Sequence, residues 1–588
     1  MRIELLRHIP DDSRLRGAWN QLIYEMESAE VFYTYEWALS VSRAYAKSHV
    51  PLLALAWEGE QLVGVASLAT ARDGHDAFFL AATTADYCDF ISRPSDRNVF
   101  VSLVLERVKA LGINDLVFAN LPADSATVPA LRSEARRSGY HRHCRHAYDC
   151  AQINFRTAEE REKLQATSLG SKTLRRALQY LGKEGKVEFR DLKDRNAVVA
   201  ALDDFSKMHV ARFLATNRIS NLCRPERRFF LRELSSQLGE SGAISLSQLM
   251  VGDRPAAWNF GFQFGGSWFW YQPTFDSQWE RHSPGLCLLA KIVSAGMEDG
   301  NTARIDLGLG AEGYKDRFAT STRETLHVTL SNQFSKYIGA YLRYRLAETV
   351  KSFPPLEKAS RSVRDRVSRG KSRVLQSGPA NYLHQSAREA WRHCFGQDEV
   401  LLYNRRGARS NSVDTKGNAL VAIDYDVLAI AAMEYFDDED TLTYLLRSAS
   451  RLRSGQSRGF AFVDPSGVPV HFCWTNALQN FEMAELNASI SAPSPNATVI
   501  FDSWTPTAKR GQGFFSGAIG AVADLLVAED RVPWTFTTAA NVTAVRGIEK
   551  CGFQPQHSLI RNTQFFVQKL QSQSAGNLLN PMAVRKAS

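Results

Sequence analysis

Two stretches of the 588-residue chain carry residue types whose spacing suits the binding of a phosphate. In the first, Thr498 to Trp504 reads as a buried strand. It leads through Thr505-Pro506-Thr507-Ala508-Lys509-Arg510-Gly511-Gln512-Gly513-Phe514-Phe515 into a helix over about Ser516 to Glu529. A glycine-containing turn that opens a helix presents unpaired backbone N–H groups and the positive end of the helix dipole. Arg510 can add a charge-assisted bond to the same anion. Such junctions also occur where they only turn the chain, so the loop gains meaning from the elements downstream of it. A second strand, Trp534 to Ala540, precedes Asn541-Val542-Thr543-Ala544 and a helix ending at Cys551-Gly552-Phe553. In the other stretch, Ser283-Pro284-Gly285 comes after an apolar strand, with Ser283 as helix N-cap and Pro284 at the first helical position. That helix start reads equally as a well-capped core helix or as a second phosphate seat.

Proton transfer needs an acid or base beside these loops. Asp502, Glu482, Glu485 and His471 lie on or beside expected strands, and Asp502 and His471 are equally plausible as satisfied core polar groups. The run His141-Arg142-His143-Cys144-Arg145-His146 has metal-ligand types, but it abuts a strand whose alternate residues face opposite ways. It is read as an exposed loop and strand edge. The eight cysteines are scattered and form no paired motif, so no metal is expected.

The elements that position these residues recur. Pro51 to Ala82 reads as strand, turn at Glu58-Gly59-Glu60, strand, turn at Asp73-Gly74, strand. Ser245 to Pro273 repeats the pattern, with turns at Gly252-Asp253-Arg254 and Gly265-Gly266. Arg458 to Thr475 repeats its first half around Asp464 to Gly467. Three copies imply three related mixed α/β (α+β) modules. The expected organisation is 1–165 and 166–335 as two tandem modules, 336–379 as a helix and basic linker, 380–570 as a third module and 571–588 as a flexible tail.

Net charge is +9, but Lys351 to Arg373 holds eight bases and two acids, so six of the nine charges sit in the expected linker. A nucleic-acid binder spreads its bases over a folded face; this distribution argues weakly against one. Tyr337, Tyr341, Tyr344 and Leu346 precede the linker near helical spacing, which leaves open a peripheral contact with an anionic membrane. A solvated connector is the simpler reading. No apolar run approaches a spanning helix, and the first residues lack a signal-peptide core. A cytoplasmic protein is expected.

Arg510-Gly511-Gln512-Gly513, followed 31 residues after Arg510 by Asn541 and then by Glu549-Lys550-Cys551-Gly552-Phe553, resembles the GNAT superfamily of N-acetyltransferases. The resemblance covers roughly 380–570. It implies that residues 510–515 hold the pyrophosphate of acetyl-CoA or another acyl-CoA and that Asn541 touches its pantetheine arm. Two positions depart from the pattern. Phe515 stands where the loop ends in a small residue, and Ile548 stands where the family often has a tyrosine acid, leaving that role to Cys551 or a water.

Tyr271 to Phe318, with Asp86-Tyr87-Cys88-Asp89 and Lys172-Thr173-Leu174-Arg175-Arg176, is similar to the CelD-like acetyltransferases of cellulose and exopolysaccharide synthesis. These resemble two GNAT folds in tandem, as in the FemAB transferases. The resemblance implies that Lys315 faces the acceptor or phosphate site, that Ser283 and Gly285 border the donor, and that Arg175 and Arg176 bind an anionic group; a solvent-facing helix lysine and a basic helix face are the equal alternatives for Lys315 and for the two arginines. The function so implied is transfer of an acyl group, other than an aminoacyl group, to an amine or hydroxyl of an envelope, peptidoglycan or exopolysaccharide precursor. Lys315 and Asp502 are its candidate catalytic residues. Two alternatives stay open: transfer from aminoacyl-tRNA, and a non-catalytic scaffold in a biosynthetic assembly.

Overall fold

The computed structural model describes residues 1–72, 74, 76–310, 313, 315–339, 341–342, 397–407, 417–564, 567–574 and 583–586. The expected linker beyond 342, with its basic run and the membrane contact assigned to it, lies outside the described residues. The chain divides into two compact units, Met1–Arg212 with Arg224–Thr349, and Phe213–Cys223 with Val350–Ser588. Among the described residues no helix is long and apolar enough to cross a membrane.

Unit 1 is built on one 13-stranded sheet. Its strands are β1 (Arg2–Leu6), β2 (His49–Glu58), β3 (Gln61–Ala71), β4 (Asp76–Phe79), β5 (Ile91–Ser92), β6 (Asp115–Pro122) and β7 (His141–Asn154). They continue as β8 (Val187–Leu192), β9 (Ile244–Val251), β10 (Arg254–Phe264), β11 (Ser267–Phe275), β12 (Arg304–Leu309) and β13 (Ser321–Ser331). The order is β1-β2-β3-β4-β6-β13-β7-β12-β11-β10-β9-β8, with β5 beside β3. Strands β13 and β7 thus join a first half, residues before β7, to a second half in one hydrogen-bonded sheet.

The expected hairpins are present. Gly59 and Gly252 turn β2 into β3 and β9 into β10 at left-handed φ, and Gly265-Gly266 turns β10 into β11. Each half then makes one parallel crossover, which needs a helix to return the chain. Helix Arg97–Ala110 links β4 to β6, and helix Pro284–Asp299 links β11 to β12. The second helix buries Cys287, Leu288, Leu289, Ile292 and Val293 against Trp268, Trp270, Ile305 and Leu307. Burial of each such side chain contributes roughly 1.5–3 kcal/mol, which holds the helix start at a fixed place over the sheet.

Unit 2 repeats the crossover. Its strands are β14 (Gln397–Asn404), β15 (Ala419–Ala422), β16 (Arg458–Val463), β17 (Pro469–Ala477), β18 (Phe481–Met483), β19 (Ala488–Ser491), β20 (Ala497–Trp504) and β21 (Val532–Thr538). The last three are β22 (Gln554–Gln564), β23 (Val567–Ser574) and β24 (Ala583–Lys586). The main sheet runs β15-β16-β17-β20-β21-β14-β22-β23, and helix Phe514–Ala528 links the parallel pair β20 and β21. A smaller sheet holds β18-β19-β24.

Two sequence expectations change here. The tail from Gln571 is not all loose: residues 571–574 end β23 against β22, and 583–586 pair with β19. Backbone pairing with a distant strand decides this, and composition does not display it. The histidine-rich run is strand, not loop. It forms the start of β7, paired with β13, and His141 and His143 pack on Phe334, Tyr337 and Tyr341. Among the described residues no cluster of three metal-ligating side chains occurs.

The first half of unit 1 buries charge at the start of its crossover helix. Arg97 is fully buried and donates to Ser92, Thr127 and Ser125, with Asp89 and Glu27 as its acidic partners. Removing one member of such a buried pair costs about 3–5 kcal/mol. Arg97→Ala should therefore destabilise unit 1 by that amount in urea unfolding; a loss below about 1 kcal/mol would mean the pair is no more than a surface ion pair.

Candidate functional site

In unit 1, β11 and β12 pair at only three positions, Ser267 with Arg304, Trp268 with Ile305 and Phe269 with Asp306. Beyond them β11 turns to β10 alone and β12 to β7 (Leu309 with Cys150), so the two parallel strands part. Helix Pro284–Asp299 starts from the end of β11, at the open side of this split. Ser283 is the N-cap residue, as the sequence suggests, but its φ is +49° and its hydroxyl makes no capping bond. Its carbonyl accepts from the N–H groups of Leu286 and Cys287 instead. Pro284 has no N–H, and Gly285 packs without a side chain above Phe275. The helix start is thus free of a side-chain cap, the state that an incoming anion would use.

Asp86 stands at the split. A methyl group on Gly308 would lie 2.6 Å from Asp86 Oδ2 and 3.6 Å from the Trp270 carbonyl oxygen, and Gly308 has φ +68°. Only glycine meets both demands here. Asp86 reaches this place from the first half of unit 1, on a segment pinned at several points. Asn120 Nδ2 donates to the carbonyls of Ala82 and Ala85, the Cys88 N–H donates to Asn120, and the Tyr271 hydroxyl donates to the Thr84 carbonyl.

Around it lies a buried polar group. Asp306 is fully buried and accepts from Tyr87 Oη at 2.8 Å, Gln152 Nε2 at 2.8 Å and the Gly308 N–H at 2.9 Å. Glu30, also fully buried, accepts from Arg323 at 2.6 Å and Ser28 at 2.6 Å. Arg227 donates to the Tyr271 hydroxyl at 2.6 Å and stacks on Phe230 and Tyr271. Burial, with the Asp306 carboxylate beside it, pushes Asp86 from its usual value of 3.8 up to about 7, against the pull of Lys315 and Arg227. Burial likewise raises Glu30, which Arg323 and Arg304 partly offset.

Lys315 is placed differently from its expected role. It is 4% exposed, and its Nζ donates to the carbonyls of Leu309 and Gly310 at 3.1 and 3.2 Å. It ties down the chain end of β12 and faces Asp86 as a charge, so it is a positioning residue rather than an open acceptor contact. Arg175 donates to the Gly170 carbonyl at its own helix start. Asp86, Tyr271 and Asp306 lie within the strings that carry the CelD-like resemblance but have no role in it, and Glu30 and Arg227 lie outside them. Nothing in local spacing links them, since they come from five separated segments.

Unit 2 has the same split. Strands β20 and β21 pair from Ala497 with Val532 to Ile500 with Thr535 and then part. Gly511 and Gly513 have φ of +77° and +84° with open space around both, and Gly513 is the N-cap of helix Phe514–Ala528. Arg510 is exposed, donates to the Thr505 carbonyl and lies over the Trp504 ring; Gln512 donates to the Ala508 carbonyl. Phe515 does not crowd the loop. Its ring turns toward Gly547, where a methyl group would meet it at 2.8 Å, and packs edge-on against His471.

Several expectations for this unit are revised. Asp502 has φ +46° and its carboxylate is held by Arg447 at 2.8 Å and Arg451 at 2.6 Å, so it is engaged in ion pairs within the unit. His471 is buried and its Nδ1 meets Thr505 Oγ1 at 2.7 Å; burial lowers it to about 3, so it is a neutral prop beneath the loop. Asn541 caps its own helix, accepting from the Ala544 N–H at 3.2 Å. Ile548 is buried in the core with Cys551, whose thiol donates to the carbonyls of Ser516 and Gly547, so neither is presented as an acid.

The raised Asp86 value has a consequence for stability. Between about pH 4 and 7 the folded state holds this proton more tightly than the unfolded chain, so stability falls as pH rises through that window. Asp86→Asn copies the protonated form. Scanning calorimetry should show the variant melting above the wild type at pH 8 and level with it at pH 4; the reverse order would disprove the raised value.

Residues 170–316 match the family model described as "Acetyltransferase (GNAT) domain". No curated protein matches the chain. Among solved structures it is similar to FemX, at 10% identity and TM-score 0.40, over 55% of this chain and 96% of that one. It is also similar to the L-PGS from Bacillus licheniformis, at 11% identity and TM-score 0.37, over 58% and 98%. A tandem GNAT protein of the clavulanic acid biosynthesis pathway matches at 10% identity and TM-score 0.33, over 56% and 98%. Apart from residues 213–223 the matched region lies in unit 1, not at the C-terminal loop, and it contains β11, helix Pro284–Asp299 and β12, so the β11–β12 split lies inside the region that matches this family model.

Proposed function

We propose that the chain is an acyltransferase whose working centre is the β11–β12 split of unit 1, with an acyl-CoA as donor and an amine or hydroxyl as acceptor. The observation that carries this reading is the parting of two parallel strands beside an uncapped helix start, inside residues 170–316. The helix start at Ser283 and Gly285 suits the pyrophosphate of the donor. The backbone groups released where the strands part suit the thioester, whose carbonyl needs N–H donors as negative charge develops on it. Holding both reactants there supplies much of the rate by positioning alone.

The three crossovers support three GNAT-like modules, the first two in tandem as in CelD-like proteins. On this reading the acceptor is an envelope, peptidoglycan or exopolysaccharide precursor. Unit 2 serves as a second CoA-binding module: Arg510 to Phe515 fit an anion, while Asp502 is taken up in ion pairs with two arginines. The acyl group is not an aminoacyl group on this account, and transfer from aminoacyl-tRNA is the outcome that would replace it.

Calorimetric titration of the full chain with acetyl-CoA tests both seats. Two binding events are expected, one removed by Gly285→Asp and the other by Gly513→Asp, each of which sets a carboxylate against the pyrophosphate. Loss of at least ~100-fold in affinity is expected at each, in line with about 3 kcal/mol for a like charge in a close site. Unchanged affinity in Gly285→Asp would overturn the unit 1 assignment. Binding of charged tRNA in place of acetyl-CoA would overturn the donor.

A further inference from the structure

The first half of unit 1 has the same crossover as the second, but at its helix start it buries Arg97 together with Asp89. What it projects instead is the segment that carries Asp86 into the split of the second half. We infer that Asp86 is the proton acceptor for the attacking nucleophile, so that the two halves of unit 1 build one composite active centre. This rests on the acyl-transfer reading above.

Five observations select Asp86 among the acids of this region. It lies between the parted strands, against Gly308 and near the Trp270 carbonyl. It is partly open to solvent, whereas Glu30, Asp89 and Asp306 are buried. Those three have donors already in place: Asp306 from Tyr87, Gln152 and Gly308, Glu30 Oε1 from Arg323 and Ser28, Asp89 from Thr127 and the Phe90 N–H. Among the described residues no donor reaches the Asp86 carboxylate, so its oxygens remain available. The segment itself is held by Asn120 and Tyr271, which fixes the carboxylate before substrate arrives.

The groups facing Asp86 fit a base that works near neutrality. Asp306 on β12 and Glu30 from the first half raise it, Lys315 after β12 and Arg227 from helix Pro225–Leu238 lower it. Tyr271 on β11, Cys150 on β7 and the adjacent Cys88 also feel its charge, and each is held in its protonated form by burial. At pH 7 a carboxyl titrating at about 7 supplies both a usable base fraction and a strong enough base.

The step balances on this chain and its two substrates. The acceptor N–H or O–H gives its proton to an Asp86 oxygen as nitrogen or oxygen bonds to the thioester carbonyl carbon. The oxyanion then collapses, the C–S bond breaks and the thiolate leaves. The proton on Asp86 passes to that sulfur, which restores the carboxylate and releases CoA as its thiol.

The test uses the full chain, acetyl-CoA as donor and water as the acceptor, read as thiol release from pH 5 to 9. The wild type should show a rate that rises with pH and levels near pH 7. Asp86→Asn should lose at least ~100-fold of this rate, as expected for a lost general base, with no inflection and with acetyl-CoA affinity within about twofold of wild type by calorimetry. Carbon-13 spectra of aspartate-labelled protein should show one carboxyl titrating near pH 7 that is missing in the variant. Equal thiol release by the two proteins, or no such titrating carboxyl, overturns the assignment of Asp86 alone. Failure of the wild type to bind acetyl-CoA overturns the acyl-transfer reading and the assignment with it.

Discussion

Two parallel strands that pair at one end and part at the other leave backbone N–H and C=O groups without sheet partners, and something must satisfy them. Among the described residues this constraint occurs three times, at β4–β6, β11–β12 and β20–β21. The way each wedge is filled separates the three. At β4–β6 the chain fills it with its own backbone and with Asn120, whose amide donates to the carbonyls of Ala82 and Ala85. At β20–β21 Asp502, Arg447 and Arg451 close on one another next to the parting. Among the described residues, only at β11–β12 does a half-buried aspartate stand with no donor on its carboxylate.

Charge inside unit 1 obeys the same constraint. Burying an ion costs several kcal/mol unless partners offset it, and Glu30, Asp306 and Asp89 each have theirs. These partnered acids do more than support the fold. Asp306 raises Asp86 while Lys315 and Arg227 restrain it, so a single carboxyl is left poised where the strands part. Lys315 therefore matters through the two carbonyls it clamps after β12 and through its charge, not as a group reaching out to a substrate.

Much of the local architecture is legible in the chain. Glycine pairs and single glycines at turns mark the hairpins because left-handed φ is cheap only there, and Gly511 and Gly513 mark the loop before helix Phe514–Ala528 for the same reason. Less legible are side-chain directions. Phe515 reads as an obstruction in the sequence, but its ring lies over Gly547; Asn541 reads as a ligand contact, although its oxygen caps its own helix. Asp502 stands out for its place on a strand, but Arg447 and Arg451, about fifty residues earlier, neutralise it.

The order of residues alone dictates the elements: three meander-and-crossover patterns, two helix starts suited to an anion, and turns set by glycine. These come from period, propensity and backbone freedom, all of which act over a few residues. Which helix start faces an open site is settled only by the folded chain. Asp86 and Gly308 lie 222 residues apart in sequence but meet because β13 and β7 stitch the two halves of unit 1 into one sheet. The protonation of Asp86 depends on that meeting, since burial and the neighbouring charges of Asp306, Lys315 and Arg227 exist only after the sheet has closed.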